Sequence, residues 1–149
     1  MILYFTGTGN SRFVAEALAD HLDDDTVNIL PYIKENKAGS FTSDKPFVFV
    51  FPVYLSAIPV VVKDFIRRSQ FNGNEKCYFL ATCKAAMGIT PNEASSIIKK
   101  SLTGKKYMGS IKINMPQNYI YMFTMTPGEE QEKLYSGALE VVKRCAGSI

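Results

Sequence analysis

Six consecutive residues near the start of the chain, Thr6-Gly7-Thr8-Gly9-Asn10-Ser11, have the composition of a phosphate-binding turn. The two glycines permit positive φ angles and the close approach of an anion. Backbone N–H groups of such a turn can converge on one anion, and a helix behind it adds a partial positive charge. The hydroxyls and the amide add hydrogen-bonding groups that carry no formal charge. The chemistry indicated is the binding of a phosphate group by neutral donors.

The elements on either side can position this turn. Met1–Phe5 is a short apolar, aromatic-rich run that predicts a buried strand, and from Arg12 to Leu22 apolar residues recur at helical spacing. A strand that ends in a glycine-rich turn and opens into a helix is the usual setting of a phosphate site. An ordinary turn without a ligand is the alternative that the motif leaves open.

Two common phosphate motifs do not match. A dinucleotide site needs a third glycine where Arg12 stands, and an acid at the end of the second strand, where the chain has Asn28-Ile29-Leu30. The P-loop needs a lysine near the end of the turn, and the turn has none. A single terminal phosphate is the ligand that remains.

Strands and helices alternate along the rest of the chain. Further strands are predicted at Thr26–Leu30, Pro46–Phe51, Lys76–Thr82 and Tyr107–Met115, and further helices at Pro59–Arg68, Pro91–Leu102 and Thr126–Cys145. A capping box is predicted at Thr126–Glu129, and Val61 and Leu139 are among the inward residues of their helices. Pro31–Lys45 predicts a one-turn or degenerate second helix or an irregular loop, and Gln70–Glu75 a turn. Five strands alternating with helices predict an α/β fold with a parallel sheet.

Composition excludes several classes. The 149 residues suit one domain spanning 1–149. No apolar run approaches the roughly 20 residues of a membrane span, and the net charge of +3 forms no basic stripe for nucleic acid. Three cysteines without Cys-x-x-Cys spacing argue against a disulfide framework or an iron–sulfur cluster within the chain and fit a reducing cytoplasm. One histidine and dispersed acids predict no metal site and no catalytic triad.

The turn at Thr6–Ser11 resembles the Thr/Ser-x-Thr-Gly-Asn-Thr/Ser loop of the flavodoxin family, which holds the phosphate of FMN. The resemblance implies a flavodoxin-like doubly wound sheet of five parallel strands in the order 2-1-3-4-5, with helices on both faces. Phe51–Tyr54, Pro59, Thr82-Cys83 and Met115–Ile120 are similar to the flavodoxin half of flavodoxin–ferredoxin fusion proteins. The C-terminal ferredoxin domain of those fusions, with its two cysteine clusters, is absent. The chain fits both a stand-alone relative and a domain cut from a longer fusion.

Ligands of doubly wound sheets bind beyond the carboxyl ends of the strands. Three loops leave those ends in the predicted sheet: Thr6–Ser11, Pro52–Pro59 and Thr82–Gly88. The first is predicted to hold phosphate and the other two to sandwich a flat ring. The residues predicted to bind the cofactor in the last two loops are Pro52, Val53, Tyr54, Leu55, Ser56, Thr82, Cys83, Lys84, Met87 and Gly88. Tyr54 offers a π-face, Leu55 and Met87 apolar contact, and Ser56, Cys83 and Lys84 backbone groups for the polar edge. Ordinary roles stay open: an aromatic packing residue for Tyr54, a buried apolar residue for Cys83 and a solvated charge for Lys84.

The function expected from the resemblance is that of an FMN-binding electron-transfer domain working with an iron–sulfur, ferredoxin-type protein or domain. The alternatives are an FMN-dependent NAD(P)H:quinone-type reductase and a flavin-free binding module. Flavodoxins commonly have a glycine where a peptide turns towards the flavin, whereas Tyr54–Ile58 has none. Positive φ there would cost about 1 kcal/mol or more, so weak stabilisation of the one-electron-reduced flavin is predicted. The apolar loop Pro116–Met125 is expected either to cover the flavin and receive a partner or simply to pack on the fifth strand.

Overall fold

The computed structural model describes residues 1–116 and 126–149, so the predicted loop lies outside the described residues from Gln117 to Met125. The strands are β1 (Ile2–Tyr4), β2 (Thr26–Asn28), β3 (Ser40–Ser43), β4 (Phe47–Pro52), β5 (Gln70–Gly73), β6 (Lys76–Cys83) and β7 (Lys106–Asn114). The helices are α1 (Asn10–Leu22), α2 (Leu30–Lys34), α3 (Val60–Arg68), α4 (Thr90–Ser101) and α5 (Gly128–Ala146).

Five strands form one parallel sheet in the order β2-β1-β4-β6-β7. When the strands of this sheet are numbered alone, the order is 2-1-3-4-5, which confirms the predicted fold class. Because β1 lies between β2 and β4, the chain winds in one direction from β1 to β2 and in the other direction from β4 onwards. The crevice between β1 and β4 is therefore the topological switch point of the sheet.

Alternating residues of the central strands pack on opposite faces of the sheet. In β4, Phe47, Phe49 and Phe51 belong to the core beneath α3 and α4, whereas Val48 and Val50 belong to the core beneath α1 and α5. A strand that is apolar at every position is buried on both faces, as expected for a parallel sheet. The central strands are thus packed on both faces, and this packing fixes the positions at which the loops leave them.

A second sheet was not predicted. The one-turn helix α2 agrees with the sequence, but β3 and β5 pair as a parallel two-stranded sheet, so the predicted turn at Gln70–Glu75 is wrong for the residues of β5. Phe41 of β3 and Phe71 of β5 stack with ring centroids 5.6 Å apart. Each of these strands contributes only one fully buried residue, so the sequence carries little strand periodicity there.

Two helices begin differently from the prediction. Helix α1 begins at Asn10, two residues before Arg12. Helix α5 begins after Pro127, whose φ of −57° and ψ of 152° are those of a capping residue, and no side-chain capping bond is formed there. The predicted capping box is therefore wrong, because proline occupies the position from which a hydroxyl or carboxylate would cap the helix.

Two residues predicted to face inward are exposed. Val61 lies beside the buried stripe of α3 formed by Val62, Phe65 and Ile66, and Leu139 lies beside Ala138 on α5. Each of these helices buries a narrower stripe than its apolar residues suggested. Among the described residues, no helix combines the length and apolar character needed to cross a membrane, and no three potential metal-ligating side chains cluster.

Candidate functional site

The three predicted loops emerge side by side at the carboxyl edge of the sheet. They follow β1, β4 and β6, which are adjacent strands. The chain passes from β1 to α1 on one face of the sheet and from β4 to α3 on the other. A crevice with loops on both sides is where this class of sheet binds its ligands.

The first loop ends in a left-handed glycine. Gly9 has a φ of 101° and is the N-cap of α1. Its N–H donates to Thr6 Oγ1 at 3.0 Å, and the Phe13 N–H donates to the Gly9 carbonyl at 2.9 Å. The amides of Asn10, Ser11 and Arg12 precede this first helical bond and lack a carbonyl one turn back in the helix. A Cβ at Gly9 would meet no atom within 4 Å, so the space beside this α-carbon is open.

The loop carries no free positive charge of its own. The nearest cation in the sequence is Arg12, whose Nε donates to Glu16 Oε1 at 2.7 Å. The hydrogen bond and charge of Glu16 raise the pKa of Arg12, which stays protonated and paired. The loop therefore offers hydrogen-bond donors and a helix terminus rather than an ionic partner.

Buried side chains fasten this loop to the rest of the molecule. Asn10 Nδ2 donates to the Pro116 carbonyl at 3.1 Å, and the Tyr135 hydroxyl donates to Asn10 Oδ1 at 3.2 Å. The Ser11 and Thr82 hydroxyl oxygens are 2.8 Å apart and share a hydrogen bond. These side chains are engaged within the fold. The backbone amides of Asn10 and Ser11 donate to no atom of residues 1–116 or 126–149, which suits them to a ligand.

The second loop contains a tight turn with two left-handed residues. Tyr54 and Ala57 exchange two backbone hydrogen bonds, each of 3.0 Å. Between them Leu55 and Ser56 have φ values of 49° and 63°. Positive φ at both central residues is the geometry of a type I′ turn, which Asn-Gly or Gly-Gly usually occupies. Leu55 and Ser56 thus adopt the positive φ angles for which the sequence analysis predicted an energetic cost.

Tyr54 connects the second loop with the first. Its ring contacts Phe5 edge to face, with centroids 6.5 Å apart, and 49% of the residue is exposed. A Cβ on Gly7 would lie 3.1 Å from the Tyr54 hydroxyl, so a larger residue would press against the ring. Partial burial raises the pKa of Tyr54, and the side chain is a neutral phenol at physiological pH. An uncharged aromatic ring with uncovered surface thus lies beside the open turn.

The third loop is packed directly against the turn in the second. Gly88 has a φ of 57°, and a Cβ there would come within 2.2 Å of the Ser56 carbonyl oxygen. The Ile89 N–H donates to that same oxygen at 2.9 Å. Met87 is partly buried against the core below. The two loops that were predicted to sandwich a ring therefore contact each other.

The remaining predicted site residues lie at the bases of these loops. Pro52 ends β4, and the Val53 N–H donates to the Thr82 carbonyl at 3.0 Å. Burial raises the pKa of the Cys83 thiol, which stays protonated near neutral pH. Lys84 Nζ is 3.2 Å from Glu130 Oε1 of α5, and both side chains are about half exposed. Lys84 would have to leave Glu130 to place its charge elsewhere.

No protein-family model matches the chain, and no curated protein matches it in sequence. Solved structures do match it. A Bacteroides uniformis protein with a provisional flavoprotein assignment is 14% identical, with a TM-score of 0.61 and coverage of 97% of this chain and 95% of that one. The NAD(P)H:quinone oxidoreductase of Methanothermobacter marburgensis is 15% identical, with a TM-score of 0.57 and coverage of 97% and 92%. A short-chain flavodoxin associated with a bacterial microcompartment is 17% identical, with a TM-score of 0.50 and coverage of 97% and 96%.

The fold is flavodoxin-like. At identities this low the likeness concerns the path of the chain, and the side chains of the site must be judged on their own chemistry. They are compatible with FMN in two respects. The open, neutral turn before α1 suits a phosphate, and the half-exposed ring of Tyr54 lies within reach of the same crevice.

Sequence reasoning missed one residue at the base of this candidate site. Glu93, in the first turn of α4, accepts the Ile58 N–H through Oε2 at 2.8 Å. Its Oε1 accepts a hydrogen bond from Lys63 Nζ of α3 at 2.6 Å. These partners are 30 and 35 residues away along the chain. An isolated glutamate on a predicted helix carries no signal of such contacts.

Proposed function

We propose that this chain binds FMN at the carboxyl edge of its sheet and transfers electrons through it, with an iron–sulfur, ferredoxin-type protein or domain as partner. The observation that supports this most strongly is that the three loops form one continuous rim. Gly7 lies beside the Tyr54 hydroxyl, and Gly88 packs against Ser56. The neutral turn before α1 and the apolar side chains of the other two loops therefore lie at the same crevice. A ligand with a phosphate tail and a flat ring requires this arrangement.

The first loop holds the phosphate in this proposal. Backbone amides of Asn10 and Ser11, with the hydroxyls of Thr6 and Thr8, donate to its oxygens at the positive end of the α1 dipole. Each charge-assisted hydrogen bond contributes about 1.5–3 kcal/mol before ordering and desolvation costs. Sub-micromolar affinity requires about −8 kcal/mol, which a phosphate and a stacked ring can supply together.

The second and third loops hold the ring. Tyr54 stacks on it, with a contribution of about 1 kcal/mol beyond area burial, and Leu55 and Met87 cover apolar parts. Backbone groups of Cys83 and Lys84 reach the polar edge. The flavin supplies the redox chemistry when bound, and the protein supplies binding, orientation and exclusion of water. No side chain of the site acts as an acid or base.

The surface around this rim suits a partner that docks by apolar contact. Leu55, Val60 and Ile89 are exposed beside the turn. The nearby charges of Lys84 and Lys63 are neutralised by Glu130 and Glu93. The thiols of all three cysteines are free, which fits a reducing compartment such as the cytoplasm.

An absorption spectrum of the purified protein with added FMN tests the proposal. We expect a shifted and structured flavin band and quenched flavin fluorescence at near-stoichiometric FMN. A spectrum equal to that of free FMN, together with no FMN-induced rise in melting temperature, would favour a flavin-free binding module instead.

A second candidate is an FMN-dependent NAD(P)H:quinone-type reductase. The exposed apolar residues Leu55 and Ile89 beside the crevice would suit a flat apolar acceptor as well as a protein partner. The likeness in fold to a quinone oxidoreductase is compatible with it. Steady-state NADH or NADPH oxidation by the FMN-loaded protein with a soluble quinone separates the two. An electron carrier should show negligible turnover until a separate reductase is added.

A further inference from the structure

We infer that Glu93 is a positioning residue that holds the Tyr54–Ala57 turn in its left-handed conformation and thereby sets the Tyr54 ring. The consequence for the cofactor rests on the proposed FMN site. The hold on the turn is a property of the protein alone, so it can be tested without any flavin.

The turn needs support from outside because its own residues disfavour it. Leu55 and Ser56 are both left-handed, a backbone conformation that is strained for any residue with a Cβ. Two backbone hydrogen bonds, both between Tyr54 and Ala57, close the turn. Leu55 is fully exposed and contributes no packing. A turn with this sequence persists when the surrounding structure fixes it.

Glu93 supplies one of these supports from α4. Its carboxylate accepts the N–H of Ile58, the residue that directly follows the turn. Ile58 is 1% exposed as a residue and its bond to Glu93 is partly buried, so removing this acceptor would cost a hydrogen bond that water replaces poorly. Lys63 holds the other carboxylate oxygen, and the side chains of Glu93 and Lys63 are only 19% and 16% exposed. Water therefore screens this contact less than it screens an ion pair at the surface.

The start of the same helix holds the turn at a second point. The Ile89 N–H, at the N-cap of α4, donates to the Ser56 carbonyl, and Gly88 leaves no space for that carbonyl to move towards it. Ser56 and Ile58 are thus both fixed by one rigid element. A rotation of the peptides in the turn would have to break the bond to Ile89 and disturb the bond to Glu93.

Amide hydrogen exchange of the flavin-free protein tests the hold directly. In Glu93→Ala we expect the Ala57 and Ile89 amides to exchange about tenfold faster or more, because both depend on the closed turn. Glu93→Gln keeps an acceptor for the Ile58 N–H and should stay closer to the wild type. Glu75→Ala, which breaks the exposed pair of Glu75 with Lys106, is the matched control and should change neither amide.

A second control separates the turn from the packing of the helices. Lys63→Met removes the ion pair between α3 and α4 but leaves Glu93 bonded to the Ile58 N–H. If Lys63→Met accelerates exchange of the Ala57 amide as much as Glu93→Ala does, the ion pair rather than the bond to Ile58 protects this amide, and the inference is wrong. The same conclusion follows if Glu93→Ala lowers the melting temperature but leaves the Ala57 amide protected.

Rescue by glycine gives the sharpest outcome. Glycine adopts positive φ without strain, so Ser56→Gly should restore part of the Ala57 protection lost in Glu93→Ala, while Leu55 stays strained. Failure of this rescue would contradict the inference. In the FMN-loaded protein, Glu93→Ala should weaken FMN binding about tenfold and alter the visible circular dichroism of the flavin, whereas Glu75→Ala should do neither. If the wild type binds no FMN, the proposed function fails while the exchange experiment still decides the role of Glu93.

Discussion

The two loops that flank the crevice reach left-handed conformations by different means. The phosphate-type turn places glycine where the φ is positive, at Gly9, and the space beside it is open. The turn at Tyr54–Ala57 has leucine and serine at positive φ and is held from outside by Glu93 and Ile89. The conformation of the first turn therefore follows from its own residues. The conformation of the second turn depends on hydrogen bonds from residues that are distant in the sequence.

This difference has a functional consequence. A turn that carries its own glycine can adjust to an anion at little cost, since its conformation needs no partner. A strained turn held at two points stays in one arrangement and keeps Tyr54 in one orientation. We expect the protein to adapt on the phosphate side of the site and to remain rigid on the ring side. Substitutions in the two loops can test this contrast, and the largest effect is expected at Gly88.

Gly88→Ala should have the largest effect. The new Cβ would lie 2.2 Å from the Ser56 carbonyl at a φ of 57°, so overpacking adds to backbone strain. We expect a loss of about 3 kcal/mol in the free energy of unfolding, measured by urea denaturation. Gly137→Ala in α5 is the control, since a Cβ there meets nothing, and it should stabilise the protein by about 0.5–1 kcal/mol. An unchanged urea midpoint for Gly88→Ala would show that the two loops are not tightly packed.

Gly9→Ala should be milder, because its Cβ would enter open space. The strain of a non-glycine residue at a φ of 101° should cost about 1–2 kcal/mol in stability. FMN affinity should fall at least about tenfold, since the amides that follow Gly9 would be displaced. Isothermal titration with FMN measures this, and an FMN affinity equal to that of the wild type would count against the first loop as the phosphate site.

Leu55→Gly should act in the opposite direction. Removing the strain at a φ of 49° gains about 1–2 kcal/mol, and the extra flexibility of glycine in the unfolded chain costs about 0.5–1 kcal/mol. The exposed leucine side chain loses no packing. A net stabilisation of about 0.5–1 kcal/mol should appear as a higher melting temperature. A lower melting temperature would mean that the turn is not strained.

The pH dependence associated with Tyr54 should be the smallest effect. Because burial raises its pKa in the folded state, its stabilising contribution is complete below its unfolded value of about 10 and is lost as the pH rises through the folded value. Urea unfolding between pH 8 and pH 11 should therefore show a slightly larger loss in the wild type than in Tyr54→Phe. Identical pH profiles would indicate that the ring is solvated on both faces.

The same contrast explains which parts of the site could be predicted from the sequence. The turn at Thr6–Ser11 was predictable because glycines, hydroxyls, a strand and a helix occur together within 22 residues. The left-handed turn and its hold by Glu93 were not, because they arise from contacts between residues more than 30 positions apart. Leu55-Ser56 lacks the glycine or asparagine that indicates a type I′ turn, so its conformation is visible only in the fold.

The fold divides in a similar way. The central strands and their helices have long apolar patterns, so β4, β6, α1 and α4 were predicted within two residues at their boundaries. The pair of β3 and β5 was missed, because each strand has one buried aromatic residue and the signal lies in their mutual pairing. Helix faces were misjudged at Val61 and Leu139, where apolar residues extend beyond the buried stripe.

A parallel titration of the protein with FMN and with riboflavin tests the central claim most directly. The two ligands share the same ring and differ by the phosphate, so the ratio of their dissociation constants reports on the neutral turn before α1. We predict that FMN binds at least about 100-fold more tightly, as two or more charge-assisted hydrogen bonds require after their costs. Equal affinities, or binding of neither ligand, would contradict the account.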